Sequence, residues 1–319
     1  MNKLLIIVLI AAVMHSCAQK PQSVSKPQEH ISVAFDADSA YHFAAEQVSF
    51  GPRVPGSTSH RLCAEYLEHT LQRFADTVIV QHGSMPSYNG TPMPVRNIIA
   101  AFNPSATPRV MLSAHYDTRP WADQEQEQEK WHTPIDGAND GASGVAVLLE
   151  IARQLREMNT TKGIDIMLWD AEDSGTPQFE YSANHDSWCL GSQYWALHKH
   201  KAGYEAQCGI LLDMVGAPDA QFQLEQHSRQ YANHILKEVW KTARRLGYGD
   251  IFTDKHAYPI TDDHYYLNQA GIPTIDIIHY DDIRGFGSYW HTTSDNMDHI
   301  SRHTLGAVGT TVLDFITNR

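Results

Sequence analysis

The sequence predicts an α/β fold, a three-layer α/β/α sandwich around a central, mostly parallel mixed sheet. Six apolar, β-branched segments indicate strands buried on both faces, because most of them are continuous rather than alternating. Amphipathic helical segments are interleaved with these strands, as parallel pairing requires. The chain has 319 residues, of which 42% are apolar, so it can bury a large core. We expect a single domain over residues 31–319.

The strand segments share an apolar, β-branched character. In chain order they are Val78–Val80, Val95–Phe102, Arg109–Ser113, Gly163–Trp169, Cys208–Val215 and Pro273–His279. The helical segments carry apolar residues at three- and four-residue spacing. They are Ser59–Phe74, Ser143–Met158, Gln230–Leu246 and Ser301–Ile316. Because serine is a favourable N-cap residue, Ser59, Ser143 and Ser301 are expected to cap their helices.

The charge balance excludes two classes of partner. The chain carries 24 Lys and Arg against 37 Asp and Glu, a net charge of −13, and it has no Lys/Arg-rich run. Nucleic acid and anionic membrane surfaces both require a basic footprint. Neither is therefore an expected partner, and the 31 aromatic residues (7 Trp, 14 Tyr and 10 Phe) exclude a disordered chain.

The first residues have the pattern of an export signal. Lys3 precedes the apolar run Leu4–Met14, which is too short to span a bilayer but suits a secretory signal. We expect residues 1–16 to be a signal peptide and residues 17–30 a polar tether. Because the small residue before Cys17 resembles a lipoprotein processing site, membrane attachment is expected only through a lipid on Cys17. The protein is then periplasmic or a membrane-anchored lipoprotein.

The remaining cysteines do not form an obvious framework. Cys63, Cys189 and Cys208 are odd in number and widely spaced, so at least one thiol stays free or pairs outside the chain. No Cys-x-x-Cys occurs, which disfavours a thiolate zinc site.

Polar side chains follow three of the predicted strands. His115 and Asp117 end one segment, Glu172 and Asp173 follow the next, and Asp213 lies within the apolar run ILLDMV. Ligands bind outside the carboxyl ends of strands in open α/β sheets. A carboxylate in so apolar a strand is costly to bury unless it is paired, protonated or bound to a metal. These strand ends are therefore the candidate site.

Two further motifs extend this site toward a metal centre. Asp140 lies in the loop GANDGASGV before a helix, and SYWHTTSDN supplies His291. One imidazole with carboxylates and no thiolate is the ligand mixture of a catalytic zinc site with an open position. Because Glu172 and Asp173 leave the strand in different directions, one can ligate the metal while the other carries protons. No compact His-Glu-x-x-His signature selects the ligands, so residue types alone leave the set open.

Two long connections are expected to border the site. Residues 118–139 and 174–190 exceed ordinary loop lengths. Within the first, residues 123–130 (DQEQEQEK) are expected to be a charged, solvated surface excursion.

An ordered set of motifs resembles the zinc-dependent aminopeptidase and glutaminyl cyclase superfamily. The set is GPRVPGS, SAHYDT, GANDGASGVAVLLEIAR, WDAED, LLDMVGAP, DDH and WHTTSDN, and it covers about residues 40–318. Within that group GPRVPGS, LLDMVGAP, DDH and the Trp290–His291 pair are similar to bacterial glutaminyl-peptide cyclotransferases. The resemblance implies a zinc-aminopeptidase-like fold and conversion of N-terminal glutamine to pyroglutamate with release of ammonia. The implied partners are peptides and proteins with N-terminal glutamine.

The resemblance also implies roles for individual residues. Asp140, Asp173 and His291 would hold one Zn²⁺ per chain, with Glu172 as the proton shuttle. The other implied site residues are the acidic-network members Asp213 and Asp262, the pocket residues Trp290 and Phe286, and His115 as a supporting residue or a second-metal ligand. Two positions depart from the family pattern, because Asp173 replaces the usual Glu and Asp276 replaces a pocket histidine of the animal enzymes.

Two alternatives stay open. A zinc aminopeptidase would use two metals to activate a water, and five residues offer the ligands, namely His115, Asp140, Asp173, Asp213 and His291. A peptide-binding surface lipoprotein is the other alternative, which the intact Glu172 disfavours because a binding protein needs no base. Physiological substrates and the oligomeric state do not follow from the sequence.

Overall fold

The structure is a computed structural model that describes residues 30–182, 184 and 186–319. The predicted signal peptide, Cys17 and all of the tether except residue 30 lie outside the described residues. Residues 31–319 form one compact unit. Within the described ranges, no helix is both long enough and apolar enough to cross a membrane.

Among the residues that the structure describes, ten strands form one large and two small sheets. They are β1 Thr77–Pro86, β2 Pro92–Phe102, β3 Arg109–His115, β4 Gly163–Trp169, β5 Cys208–Asp213, β6 Phe222–Leu224, β7 Phe252–His256, β8 Thr274–Ile278, β9 Tyr280–Asp281 and β10 Gly285–Phe286. The large sheet has the order β1-β2-β4-β3-β5-β8, in which β4, β3, β5 and β8 are parallel and β2 runs antiparallel to both neighbours. All six predicted strands lie in this sheet, and the mixed, mostly parallel arrangement is confirmed.

In the described part of the chain, seven α-helices cover the sheet. They are α1 Ala37–Ser49, α2 Thr58–Gln72, α3 Ala142–Glu157, α4 Leu190–Leu197, α5 Gln226–Arg245, α6 Asp263–Gln269 and α7 Arg302–Asn318. Alternate strand residues point to opposite faces, so Leu112 packs in a core with α1, α2, α3, α5 and α7 while Met111 packs with Trp195 of α4 and Leu267 of α6. The three-layer prediction is confirmed, and the sequence missed α1, α4 and α6.

Two of the three predicted helix caps are wrong. Ser301 caps α7 by accepting the amide of Thr304, as expected. The cap of α2 is Ser57 instead of Ser59, because the Ser57 hydroxyl accepts the amide of His60. Ser143 lies inside α3 and donates its hydroxyl to the Asn139 carbonyl.

The start of α3 is set by close packing on β5. A Cβ atom at Gly144 would lie only 2.2 Å from the Leu212 carbonyl oxygen, so glycine alone permits this approach. Gly141, with φ 107°, precedes the helix and makes no side-chain cap. Asp140 therefore does not serve as a helix cap, and it is carried to the carboxyl edge of the sheet.

The strand register brings the polar strand ends to that same edge. His115 ends β3 opposite Trp169 of β4, and Asp213 ends β5 opposite Ile278 of β8. The residues after β4, including Glu172 and Asp173, follow immediately. The expected site at the carboxyl edge of the parallel strands is therefore assembled in the fold.

Candidate metal centre

Asp140, Asp173 and His291 converge at this edge. His291 Nε2 lies 3.1 Å from Asp173 Oδ1 and 3.6 Å from Asp140 Oδ2. One ligand atom from each residue lies within 4.8 Å of the others, and all three residues are buried. A tetrahedral zinc ion with bonds of about 2.1 Å spaces its ligand atoms about 3.4 Å apart. The three side chains therefore have the spacing that a zinc ion requires.

The hydrogen bonding of Asp173 also fits a metal ligand. Both carboxylate oxygens of Asp173 are fully buried, and within the described residues neither accepts a well-formed hydrogen bond, although His291 Nε2 lies 3.1 Å and Arg119 Nη1 3.5 Å from Oδ1. A buried carboxylate without donors is costly unless it is protonated or bound to a cation. The nitrogen and oxygen donor set around it suits Zn²⁺.

Asp117 holds the loop after β4. The sequence analysis placed Asp117 at the end of a strand but assigned it no role. Its two carboxylate oxygens accept the amides of Glu172 at 3.0 Å and Asp173 at 3.1 Å. Ala171, the residue before this pair, has a left-handed φ of 53°, so the turn needs external support. Asp117 gives that support and directs the two acidic side chains apart.

Asp295 performs the same task for Asp140. It accepts the amides of Asn139 at 2.7 Å and Asp140 at 3.0 Å. Burial and the nearby Asp140 carboxylate raise the pKa of Asp295 to about 7. The sequence analysis missed Asp295, although it lies in the motif WHTTSDN four residues after His291.

Both long connections border the site, and the expected solvated excursion is confirmed for residues 124–130 but is wrong for Asp123. Residues 124–130 are mostly exposed, whereas Asp123 is fully buried. Asp123 Oδ1 lies 3.6 Å from His291 Nδ1, and Arg119 binds the same carboxylate. The contacts of Asp123 with Arg119 and His291 explain its burial, which the run of polar neighbours does not reveal.

Glu172 lies beside the cluster without joining it. Its Oε1 accepts a hydrogen bond from Cys189 Sγ at 3.2 Å, and its Oε2 lies 4.0 Å from His115 Nδ1. Burial raises the pKa of Glu172 well above its ordinary value; His115 opposes that rise, whereas Asp173 and Asp262 add to it. A carboxylate whose pKa is raised by burial in a cavity binds a proton more readily than a free glutamate does, which suits it to proton transfer.

An aromatic-walled cavity of about 440 Å³ opens onto these residues. The Trp290 ring stacks on His291 with 3.7 Å between ring centroids, and Phe286 lies 4.5 Å from Trp290. Trp188, Ile260 and Phe286 line the cavity together with Trp290. Because Trp290 and Phe286 are only half-buried, they form a wall and not the interior of the core.

The fold and this arrangement match a known family. Residues 97–316 match peptidase family M28. The chain belongs to peptidase family M28. That match includes the catalytic and ligand candidates from Asp140 to His291.

Relatives of this M28 protein include enzymes of two activities. A Zn-dependent exopeptidase from Parabacteroides distasonis is 49% identical, with a TM-score of 0.89, over 91% of this chain and 100% of that one. Glutaminyl cyclase from Bacteroides thetaiotaomicron, bound to N-acetylhistamine, is 50% identical, with a TM-score of 0.88, over 91% and 100%. Aminopeptidase YwaD of Bacillus subtilis is 27% identical over 209 residues, 63% of this chain but only 38% of YwaD.

A second group of ligand-type residues in this M28 protein shares Asp140. His115 Nε2 lies 3.1 Å from Asp140 Oδ1 and 3.2 Å from Asp213 Oδ1. Burial lowers the pKa of His115, but hydrogen bonds to Asp117, Asp140 and Asp213 outweigh it and hold the pKa well above the ordinary value. His115, Asp140 and Asp213 also offer ligand atoms within 4.8 Å of one another, so they form a second candidate metal group.

Behind these residues the M28 protein buries a row of further acids. Asp262 caps α6, and burial together with Asp213 raises its pKa to about 7. Asp276 lies 3.6 Å from His264 Nδ1, and burial and the charge of Asp262 raise its pKa well above the ordinary value. Asp213, Asp262 and Asp276 are therefore close enough for their charges to interact.

Proposed function

We propose that this M28 protein cyclises the N-terminal glutamine of peptides and proteins to pyroglutamate, with release of ammonia, using one zinc ion per chain. The observation that carries the proposal is the aromatic cavity, in which Trp290 covers the imidazole of His291 and Glu172 lines the cavity close to the ligand cluster. Such a cavity suits a small, curled side chain. The 50% identity to a glutaminyl cyclase over 91% of the chain supports the same activity.

The reaction needs little beyond positioning and proton transfer. A zinc ion held by Asp140, Asp173 and His291 would supply a Lewis acid for the side-chain carbonyl of the glutamine. The aromatic walls hold the residue curled, so that its α-amine nitrogen reaches the side-chain carbonyl carbon. A new C–N bond forms there, and the bond to the side-chain amide nitrogen breaks. Glu172 takes the proton from the amine and returns it to the departing nitrogen, which leaves as ammonia.

One zinc ion, rather than two, is supported by His115. Its ring lies between Asp140 and Asp213 at hydrogen-bond distance from both. An imidazolium in that position takes over the charge compensation that a second metal supplies in a two-metal hydrolase.

A second candidate function is zinc aminopeptidase activity, favoured by the position of Asp140 between the two residue groups. A paired assay separates the two. The purified protein is incubated with Gln-peptides and with Leu-anilides, and ammonia and free anilide are measured together with zinc content. We expect ammonia from Gln-peptides at about one zinc per chain. Anilide release that requires two zinc ions would establish the aminopeptidase, and no reaction would favour a peptide-binding protein.

We further propose that the enzyme is exported and acts in the periplasm or on a membrane as a lipoprotein. Lys3, the apolar run Leu4–Met14 and the small residue before Cys17 support this proposal. Cell fractionation of the full chain and of Cys17→Ser tests it. Membrane-bound wild type and released variant are expected, whereas both proteins in the cytosol would contradict export.

A further inference from the structure

A buried ion pair in the 118–139 connection contacts the candidate zinc site from outside. The Arg119 guanidinium binds the Asp123 carboxylate with two bonds, Nε to Oδ1 at 2.7 Å and Nη2 to Oδ2 at 2.6 Å. Both residues are about 1% exposed. A buried ion pair contributes little net stability compared with apolar residues of similar size. Its position therefore calls for another explanation.

Asp123 faces the side of His291 that points away from the ligand cluster. Asp123 Oδ1 is 3.6 Å from His291 Nδ1, whereas His291 Nε2 faces Asp173. A carboxylate behind the ring favours a proton on Nδ1 and leaves the Nε2 lone pair for the metal. The second oxygen of Asp123 accepts the Gln178 amide at 2.9 Å, so the carboxylate is held by both long connections.

Arg119 reaches the other ligand. Its Nη1 donates to the Asp173 carbonyl at 3.2 Å and lies 3.5 Å from Asp173 Oδ1. The guanidinium also lies 4.6 Å from the centre of the Trp188 ring, and Trp188 stacks parallel to His291 at 5.9 Å. One ion pair therefore contacts two of the three candidate ligands and one wall of the cavity.

We propose that the Arg119–Asp123 ion pair is the positioning unit of the zinc site. Asp123 sets the tautomer and orientation of His291, and Arg119 holds Asp173. The third ligand, Asp140, is held separately by Asp295. The inference rests on the zinc binding of the proposed function, but it concerns two residues that are not among those lining the cavity.

The chain offers a matched control. Arg109 and Asp165 form a second buried pair with the same two-bond geometry, at 2.7 Å and 2.6 Å. Arg109 begins β3, and His115 ends that strand at the candidate site. Asp165→Asn therefore breaks an equivalent ion pair near the other end of the strands, away from the candidate site.

The test measures zinc affinity of the full folded domain by competition with a chromophoric chelator. Asp123→Asn keeps the side-chain shape, and we expect it to weaken zinc binding about 10- to 100-fold, the usual effect of losing a supporting carboxylate. Arg119→Lys keeps the charge but loses the two-bond geometry, so it should also weaken binding. Asp165→Asn should lower the melting temperature and leave zinc affinity within about threefold.

A cobalt(II)-loaded protein gives a second readout, because the visible spectrum reports ligand geometry. We expect the spectrum to change in Asp123→Asn and to stay unchanged in Asp165→Asn. If Asp123→Asn does not fold, Arg119→Lys carries the test. Wild-type zinc affinity in the variants at the site, or an equal loss in Asp165→Asn, would overturn the inference. A wild-type protein that binds no zinc would instead refute the proposed function.

Discussion

Glu225→Gln is expected to remove about 3 kcal/mol of stability at neutral pH. Glu225 is fully buried at the start of α5, where its carboxylate accepts the amides of His227 at 2.7 Å and Ser228 at 2.6 Å. His264 Nε2 lies 3.2 Å from the same carboxylate. Burial opposes ionisation, but the hydrogen bond and charge of His264 and the two amides outweigh it and lower the pKa of Glu225 to about 2.

The magnitude follows from linkage between ionisation and folding. An unperturbed glutamate has a pKa of about 4.3, and each unit of difference corresponds to about 1.4 kcal/mol. A shift from about 4.3 to about 2 therefore amounts to about 3 kcal/mol. Because the pKa of Glu225 is lower in the folded state, this stability is present above pH 4.3 and is lost as the pH falls toward 2.

The assay is urea unfolding of the wild type and the variant at several pH values between 7 and 2. The difference in free energy of unfolding should be about 3 kcal/mol at pH 7 and should shrink below pH 4.3. Glu238→Gln, an exposed position on the same helix, is the control and should change stability by less than about 0.5 kcal/mol. A difference for Glu225→Gln that does not depend on pH would refute the reasoning.

Three further predictions concern the site and the thiols. Glu172→Gln should retain zinc and lose about a hundredfold in kcat, whereas Asp173→Asn should bind zinc more weakly. Metal analysis and kinetics measure both effects. If Glu172→Gln loses the zinc and Asp173→Asn keeps it, the two roles are reversed. Trp290→Ala should raise KM or lower kcat for Gln-peptides with nearly unchanged Tm. The buried control Trp240→Ala should lower the free energy of unfolding by about 3 to 5 kcal/mol. A large stability loss in Trp290→Ala with unchanged kinetics would contradict the pocket role. Burial raises the pKa of the Cys63 thiol to about 11, so Cys63 should resist alkylation at pH 8 until the protein unfolds; rapid native-state labelling, located by mass spectrometry, would contradict this.

The hydrophobic pattern predicted the sheet because a strand that is buried on both faces needs apolar side chains at consecutive positions. Segments such as Gly163–Trp169 are continuously apolar apart from Asp165, which Arg109 binds in the core. Helices α4 and α6 were not predicted because they are short. The eight residues of α4 and seven of α6 are too few to show a helical period, and their formation depends on packing against the sheet.

The candidate ligands were named from the chemistry of residues at strand ends and from the family resemblance, and the tertiary structure brought those same residues together. Sequence alone misjudged Asp123, because the residues that follow it are polar and mostly exposed while its own carboxylate faces Arg119 and His291. It also gave no role to Asp117 or Asp295. Apolar periodicity is a local property that neighbouring residues carry. Which carboxylate accepts which amide or imidazole depends on distances of 3 to 4 Å between residues up to 168 positions apart, and only the folded chain determines these distances.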